Sequence, residues 1–245
     1  MELSYIMMRL IADTHCHTVA SSHAYSTIME NINEAKSQGL YAIAITDHAR
    51  SMPCPPGTWY FQNLKILPKN IYGINVLKGI EANILNNNAE LDIPSDCDFN
   101  WVIASIHDII FKDKSDIDSC TNIWLNIAKN PLINVIGHSG LPDFVYDYER
   151  VIPEFAKNGK LVEINNSSFN IREGSYSNCK KIAEICKKYE APIIVNSDAH
   201  FCTQVGRCEK ALEMLEEINF PEELIVNSSI ERFDNYLKNY TNFFN

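Results

Sequence analysis

Seven short apolar runs, each ending in a histidine, a carboxylate or an asparagine, constrain this chain more than any other feature. They read Leu10 to Asp13, Tyr41 to Thr46, Ile74 to Ile80, Trp101 to Ile106, Ile133 to Gly137, Lys160 to Ile164 and Pro192 to Asn196. Between most of them lie stretches with helical spacing, namely Thr27 to Gln38 (with Ser26 as the expected N-cap), Ser119 to Lys129, Tyr148 to Asn158, Tyr176 to Tyr189 and Glu209 to Glu217. Strands alternating with helices predict a parallel α/β architecture. An open sheet gathers its ligands at one switch point, whereas here polar candidates stand at the end of every strand, as at the C-terminal mouth of a barrel.

Length agrees with that reading, since 245 residues is close to the roughly 250 typical of one (β/α) barrel. No linker-like segment or sustained charge run divides the sequence, so one domain is expected over 1–245, with residues 1–8 as a short N-terminal tail. In the second strand the side shared with His48 carries Ala42, Ala44 and Thr46, and in the third the side shared with Glu81 carries Leu77 and Gly79. Small inward residues suit a narrow barrel interior. Ser51 to Asn70, with four prolines and Trp59, Tyr60 and Phe61, reads as a long structured loop; Asn86 to Ser95 reads as a hairpin excursion, and Leu224 to Asn227 as a short strand-like end.

Charge and cysteine content narrow the function classes. With 21 basic and 31 acidic residues the formal charge is −10, which argues against a groove for nucleic acid. Hydrophobic residues at 46% and charged residues at 21% leave no case for disorder. No apolar run is long enough to span a bilayer and no signal-peptide pattern opens the chain, so no membrane partner and a cytoplasmic location are expected. The eight cysteines are scattered without a Cys-x-x-Cys pair, which predicts reduced, structural thiols, with Cys16 facing the helical layer.

The strand-end residues carry the chemistry. His15 and His17 are two apart on a strand, so both imidazoles leave it on one side. Asp47 and His48, Glu81, His107, His138, Asn165, and Asp198 with His200 follow at later strand ends, and His23 joins from the first loop. Imidazole and carboxylate suit zinc, manganese and iron(II), and the lack of sulfur donors favours a catalytic site over a structural one. One tetrahedral ion with an open position needs three protein donors, so nine His and carboxylate candidates suggest a multinuclear cluster, the arrangement for metal-assisted phosphoester hydrolysis. Asp47 is expected to accept from a ligand histidine rather than to bind metal. Asp13 and Glu163 share inward parity and are either supporting groups of the site or paired core carboxylates. Trp59, Tyr60 and Phe61 form either a pocket wall or a packed loop core; Arg50 and Arg207 either meet a phosphate or lie solvated.

The segments Asp-Thr-His-Cys-His-Thr, Ile-Thr-Asp-His, Gly-Ile-Glu-Ala-Asn, Ser-Ile-His, Ile-Gly-His and Asn-Ser-Asp-Ala-His resemble the successive motifs of the polymerase and histidinol phosphatase (PHP) family, over nearly the whole chain from about Arg9 to about Phe233. Val19 to Thr27, Lys78 to Ile84 and Glu163 to Phe169 are most similar to the stand-alone bacterial YcdX-like phosphatases. The resemblance implies a distorted (β/α)7 barrel of TIM-barrel type, phosphatase activity and three divalent metal ions, usually Zn2+, with Mn2+ or Fe2+ also compatible with the donors. Position by position it implies that His15, His17, Glu81 and Asp198 hold one ion, that Glu81, His107 and His138 hold a second with Glu81 bridging, and that His23, His48 and His200 hold the third. Glu81, Asp198 and His200 are the residues expected to act in catalysis. The expected reaction is hydrolysis of a small phosphomonoester by a metal-bound hydroxide, with a small phosphorylated substrate as the partner and an oligomer compatible with the sequence. Histidinol-phosphate phosphatase, a nuclease-type module and a non-catalytic metal-holding module are the rival readings.

Overall fold

In a computed structural model, which describes residues 8–244, the seven apolar runs form a parallel sheet. Its strands are β1 (Ala12–Cys16), β2 (Ala42–Ile45), β4 (Ile74–Asn83), β5 (Trp101–Ser105), β6 (Val135–Ile136), β7 (Leu161–Asn165) and β8 (Ile193–Asn196), hydrogen-bonded in that order. An extra two-residue strand, β3 (Asn70–Ile71), lies antiparallel to the start of β4. Of the expected 1–8 tail, residues 1–7 lie outside the described part.

Side chains alternate along each strand as the pleat requires. Ala42, Ala44, Leu77, Trp101, Ile103, Val135, Leu161 and Ile194 face one buried layer. Their neighbours Ile80, Val102, Ala104, Ile136, Val162, Ile164, Ile193 and Val195 pack against the helices. Those helices are α1 (Ile28–Ser37), α2 (Thr58–Asn63), α3 (Ile117–Lys129), α4 (Tyr148–Lys157), α5 (Ser168–Ile171), α6 (Ser175–Lys188) and α7 (Glu209–Glu217). The inward layer becomes polar toward the C-terminal ends of the strands, because the same parity that buries Leu77, Ile103 and Leu161 brings Glu81, Ser105 and Glu163 to the barrel mouth. Gly79 lies one inward step below Glu81, and a Cβ there would meet the carbonyl oxygens of Trp101 and Ile45 at 2.9 and 3.0 Å. The two flanking strands approach too closely for any larger residue. Cys16 packs with Ile32 and Ala35 of α1, on the helical side as expected, and all eight thiols are unpaired.

Three local expectations need correction. Helix α1 is capped by Thr27, whose hydroxyl accepts from the Glu30 backbone N–H while Glu30 reaches back to Thr27; Ser26 is occupied in accepting from the Cys202 backbone N–H. The stretch Leu224 to Asn227 is not a strand but part of two 3-10 turns, bridged to β8 between Ile193 and Ile225. A further helix, α8 (Ile230–Tyr240), follows where none was expected, capped by Ser229. Its Phe233, Tyr236 and Leu237 close the floor of the barrel against Trp101 and the inward layer, and burying Phe233 alone contributes about 2–3 kcal/mol.

Those last segments also close the cylinder. β1 and β8 meet near the mouth through the bridge between Cys16 and Ala199. Deeper down the buried Asn227 fills the seam: its amide donates to the carbonyls of Ala12 (2.8 Å) and Val195 (2.6 Å) and accepts the Val195 N–H (3.1 Å). A short polar side chain thus satisfies strand-edge groups that would otherwise be buried unpaired. Among the described residues no helix is long and apolar enough to cross a membrane.

Candidate metal centre

The barrel mouth gathers all seven histidines with Glu81 and Asp198. A register shift in β1 between Asp13 and Cys16 turns His15 and His17 inward together, with ring centroids 5.2 Å apart. Two donors sit where the backbone is strained for a residue with a Cβ, His138 at φ 25° and Asp198 at φ 58°. Such strain persists only where surrounding contacts enforce it. For His138 the enforcing contact is Glu163 Oε2, which accepts its backbone N–H at 2.8 Å.

Glu81, fully buried, is the hub. Its Oε1 lies 3.4 Å from His15 Nε2, 3.4 Å from His107 Nε2 and 2.9 Å from His138 Nε2; its Oε2 lies 3.5 Å from His17 Nε2 and 2.7 Å from His48 Nδ1. Asp198 Oδ1 lies 3.2 Å from His17 Nε2 and 3.5 Å from His15 Nε2. Toward solvent, His23 Nε2 stands 3.3 Å from His48 Nε2 and 3.0 Å from His200 Nε2. The donors form one continuous cluster: His17, His48 and His200 can converge on a point, as can His15, His17 and Asp198, and His48, Glu81 and His107.

Several of these nitrogens have their other ring atom tied. His15 Nδ1 meets Glu163 Oε1 at 2.7 Å, His107 Nδ1 meets Asn83 Oδ1 at 2.8 Å, and His200 Nδ1 meets the Asp198 carbonyl at 3.0 Å. An acceptor there holds the ring proton and turns the lone pair of Nε2 to the centre. Glu163 is therefore a supporting group of the site, also held by Asn165 and Asn196. Asp13 touches no histidine ring. It clasps Ser197 and the Gly206 N–H, fixing the turn that carries Asp198. Asp47 acts at one remove, accepting from Thr18, Ser21 and Tyr60, while Ser21 Oγ accepts the His48 backbone N–H at 3.1 Å and stands 3.4 Å from His17 Nδ1.

Electrostatics divide the donors by charge. Burial pushes the Glu81 carboxyl up, but His15, His48 and His107 outweigh it and hold the group well below the usual range. Asp198 is lowered in the same way, by His15, His17 and His200 against burial. Burial and the neighbouring His48 and His200 push His17 well down and His23 to about 4; burial and Arg172 take His138 to about 4. Each of these shifts favours the neutral ring, the form whose lone pair can bind a cation. His15 goes the other way, because Glu163, Asp198 and Glu81 overcome its burial. Three carboxylates around that point call for positive charge, whether a proton or a bound cation.

The donor set fits divalent ions. His15 Nε2, His17 Nε2, His48 Nδ1 and Glu81 Oε2 are buried without a hydrogen-bond partner, the last two lying 2.7 Å apart but out of hydrogen-bond geometry. Buried polar atoms left unpaired are costly, and four converging on one volume are what a cation would satisfy.

The remaining sequence candidates fall elsewhere. Phe61 enters the core, Tyr60 reaches Asp47, and Trp59 is 80% exposed, so the loop aromatics do not act together as a wall. Arg207 lies at the surface near Glu34 and Glu209, and Arg50 is exposed. Asn165 links Glu163 and Asp198. The guanidinium at the mouth belongs instead to Arg172, which sequence reasoning missed. Its Nη1 donates to Ser168 Oγ at 2.9 Å and lies 3.6 Å from Asp198 Oδ2, and it lines a cavity of about 320 Å3 with His23, His48, Glu81, His107 and Asp198. Ser168 and Arg172 are four apart just beyond β7, a spacing that was the available signal. A larger cavity, about 710 Å3, opens at the opposite end of the barrel around Asn134 and Lys160, where no such donor group converges among the described residues.

The PHP domain family profile matches residues 13–245. A probable phosphatase of Acetivibrio thermocellus is 42% identical over 233 residues, covering 94% of this chain and 96% of its own. Another, from Caldanaerobacter subterraneus, is 45% identical over 234 residues, 94% and 92% of the two chains. Among solved structures, histidinol phosphate phosphatase from Lactococcus lactis, complexed with zinc, L-histidinol and phosphate, superposes with a TM-score of 0.59 at 16% identity over 84% of this chain and 91% of that one. A chain of an archaeal ribonuclease P with mature tRNA gives 0.57 at 10% identity over 93% and 90%. Likeness at that distance concerns the fold alone. With a family match from Asp13 onward and relatives above 40% identity over almost their full length, this chain is a member of the PHP domain family.

Proposed function

We propose that the protein is a metal-dependent phosphatase of one domain that hydrolyses a small phosphomonoester at the barrel mouth. The observation that carries this is the convergence of nine donors, eight of them buried or half-buried and five with an unpaired buried atom, in a chain matched over 94% of its length by proteins named probable phosphatases. In this reading His15, His17, Glu81 and Asp198 hold one divalent ion, Glu81, His107 and His138 a second, and His23, His48 and His200 a third, zinc or manganese being suited to such donors. Ions bound there supply an acidified water and neutralise charge on the phosphoryl oxygens.

The chain's own groups do the rest. Arg172 stands beside Asp198 at the rim, and its guanidinium offers N–H donors to a phosphate oxygen. The carboxylates of Glu81 and Asp198 stay ionised, so they repel a phosphate unless cations intervene, which ties substrate binding to metal. His200, half-buried at the edge, has Nδ1 anchored on the Asp198 carbonyl, which aims the Nε2 lone pair at the third ion. The −10 formal charge supports a small phosphorylated molecule over a nucleic acid.

Hydrolysis of p-nitrophenyl phosphate, before and after chelator treatment and on return of Zn2+ or Mn2+, tests the reading. Activity lost on stripping, restored by metal and absent from Glu81→Ala supports it; hydrolysis indifferent to chelator, or retained by Glu81→Ala, rules it out.

A further inference from the structure

His107 depends on an amide for the state of its ring. Its Nδ1 lies 2.8 Å from Asn83 Oδ1 and its Nε2 lies 3.4 Å from Glu81 Oε1. A neutral imidazole carries its proton on one nitrogen and its free lone pair on the other. An acceptor at Nδ1 therefore leaves Nε2 unprotonated and facing the centre. For His15 the acceptor is a carboxylate, Glu163, which cannot donate when ionised. Asn83 is different. Rotated by 180° about its last bond, it would present its NH2 to Nδ1 and drive the ring proton onto Nε2, where it blocks coordination.

One residue prevents that rotation. Asp92 Oδ2 accepts from Asn83 Nδ2 at 2.8 Å, and Asp92 Oδ1 accepts from the Asn83 backbone N–H at 2.8 Å. Asp92 Oδ2 also accepts the Ser51 backbone N–H at 2.9 Å. Both Asp92 and Asn83 are buried, so water offers Asn83 no alternative acceptor. Asp92 sits in the excursion between β4 and β5, beside the bridge of Ile84 with Leu91, and no cation pairs with it among the described residues. Among the described residues its carboxylate oxygens accept from three N–H groups, two of them on Asn83.

We propose that Asp92 is a positioning residue: by fixing the Asn83 amide it sets the His107 proton on Nδ1 and prepares Nε2 to hold a divalent ion. This rests on the metal-centre reading above. Through Ser51 the same carboxylate also ties the loop that follows His48 to the strand that bears Glu81.

The test uses the full-length protein, stripped of metal and titrated with Zn2+ against a chromogenic chelator, with metal content by elemental analysis and the His107 tautomer by nitrogen-15 NMR. Wild type should show the proton on Nδ1 of His107. In Asp92→Asn the amide at position 92 faces donors it cannot all accept, and Asn83 turns to relieve them. Zinc affinity at one site should fall by about 10–100-fold, the range found when a residue supporting a metal-ligating histidine is lost, and the His107 proton should appear on Nε2. The double variant Asn83→Asp with Asp92→Asn restores an acceptor toward His107 and a donor–acceptor match between positions 83 and 92, so it should recover most of the lost affinity. A merely structural role for Asp92 predicts no such recovery. Unchanged affinity and tautomer in Asp92→Asn, or a double variant no better than the single, would overturn the proposal. If Asp92→Asn does not fold, the wild-type tautomer decides, with Nε2–H as the contradicting result. A wild type that binds no divalent ion removes the metal-centre reading itself, whereas normal wild-type binding with an unaffected Asp92→Asn removes only the role of Asp92.

Discussion

Glu163 Oε1 lies 2.7 Å from His15 Nδ1 while Oε2 accepts the backbone N–H of His138, so one carboxylate aims a ring on β1 and holds a strained turn after β6. Glu163→Gln keeps the shape but offers one acceptor oxygen in place of two. Metal affinity should fall by about 10–100-fold, with a matching fall in kcat/KM at limiting metal that excess metal partly restores. Zinc titration and steady-state kinetics at two metal concentrations check this.

Arg172 is the guanidinium that lines the mouth cavity. A hydrogen bond from a charged donor contributes about 1.5–3 kcal/mol, so Arg172→Ala should lower kcat/KM for an aryl phosphate by about 10–100-fold. Metal content should stay at the wild-type level. Arg172→Lys should recover part of the loss, since it keeps the charge without the fork geometry. Kinetics alongside elemental analysis separate this from a defect in metal binding.

The floor and the mouth should fail independently. Phe233 is fully buried at the barrel floor against Trp101. Phe233→Ala should cost about 3–5 kcal/mol of unfolding free energy, read as a lower midpoint in urea. The surviving folded fraction should keep wild-type kcat per active site.

Stability should follow metal. With free metal at 100 times its Kd, each ion that binds only the folded chain adds about 2.7 kcal/mol. Calorimetry should show the melting temperature falling on chelation and rising on reloading, with a smaller shift in Glu81→Ala, whose carboxylate faces five of the seven histidines.

Much of the site was legible in the sequence because strand parity is rigid. His15 and His17, two apart, share a side, and Glu81 and Glu163 fall on the parity that also buries Leu77 and Leu161. The groups that escaped reading depend on contacts with no fixed spacing. Arg172 reaches Asp198 from across the mouth, and Asp92 reaches Asn83 from a turn nine residues on. Ser26 and Thr27 are equally good caps by residue type; what separates them is Cys202, 176 positions away, which occupies the Ser26 hydroxyl. Helix α8 does show a helical period in Ile230, Phe233, Tyr236, Leu237 and Tyr240, but its polar and aromatic composition masks it until the barrel floor is seen to need a cover.

Anomalous X-ray scattering from crystals of the metal-loaded protein, recorded on both sides of the zinc or manganese edge, tests the central claim most directly. Three peaks are expected at the barrel mouth: one among His15, His17, Glu81 and Asp198, one among Glu81, His107 and His138, and one among His23, His48 and His200. Crystals of loaded, active protein with no anomalous peak among these nine side chains would contradict it.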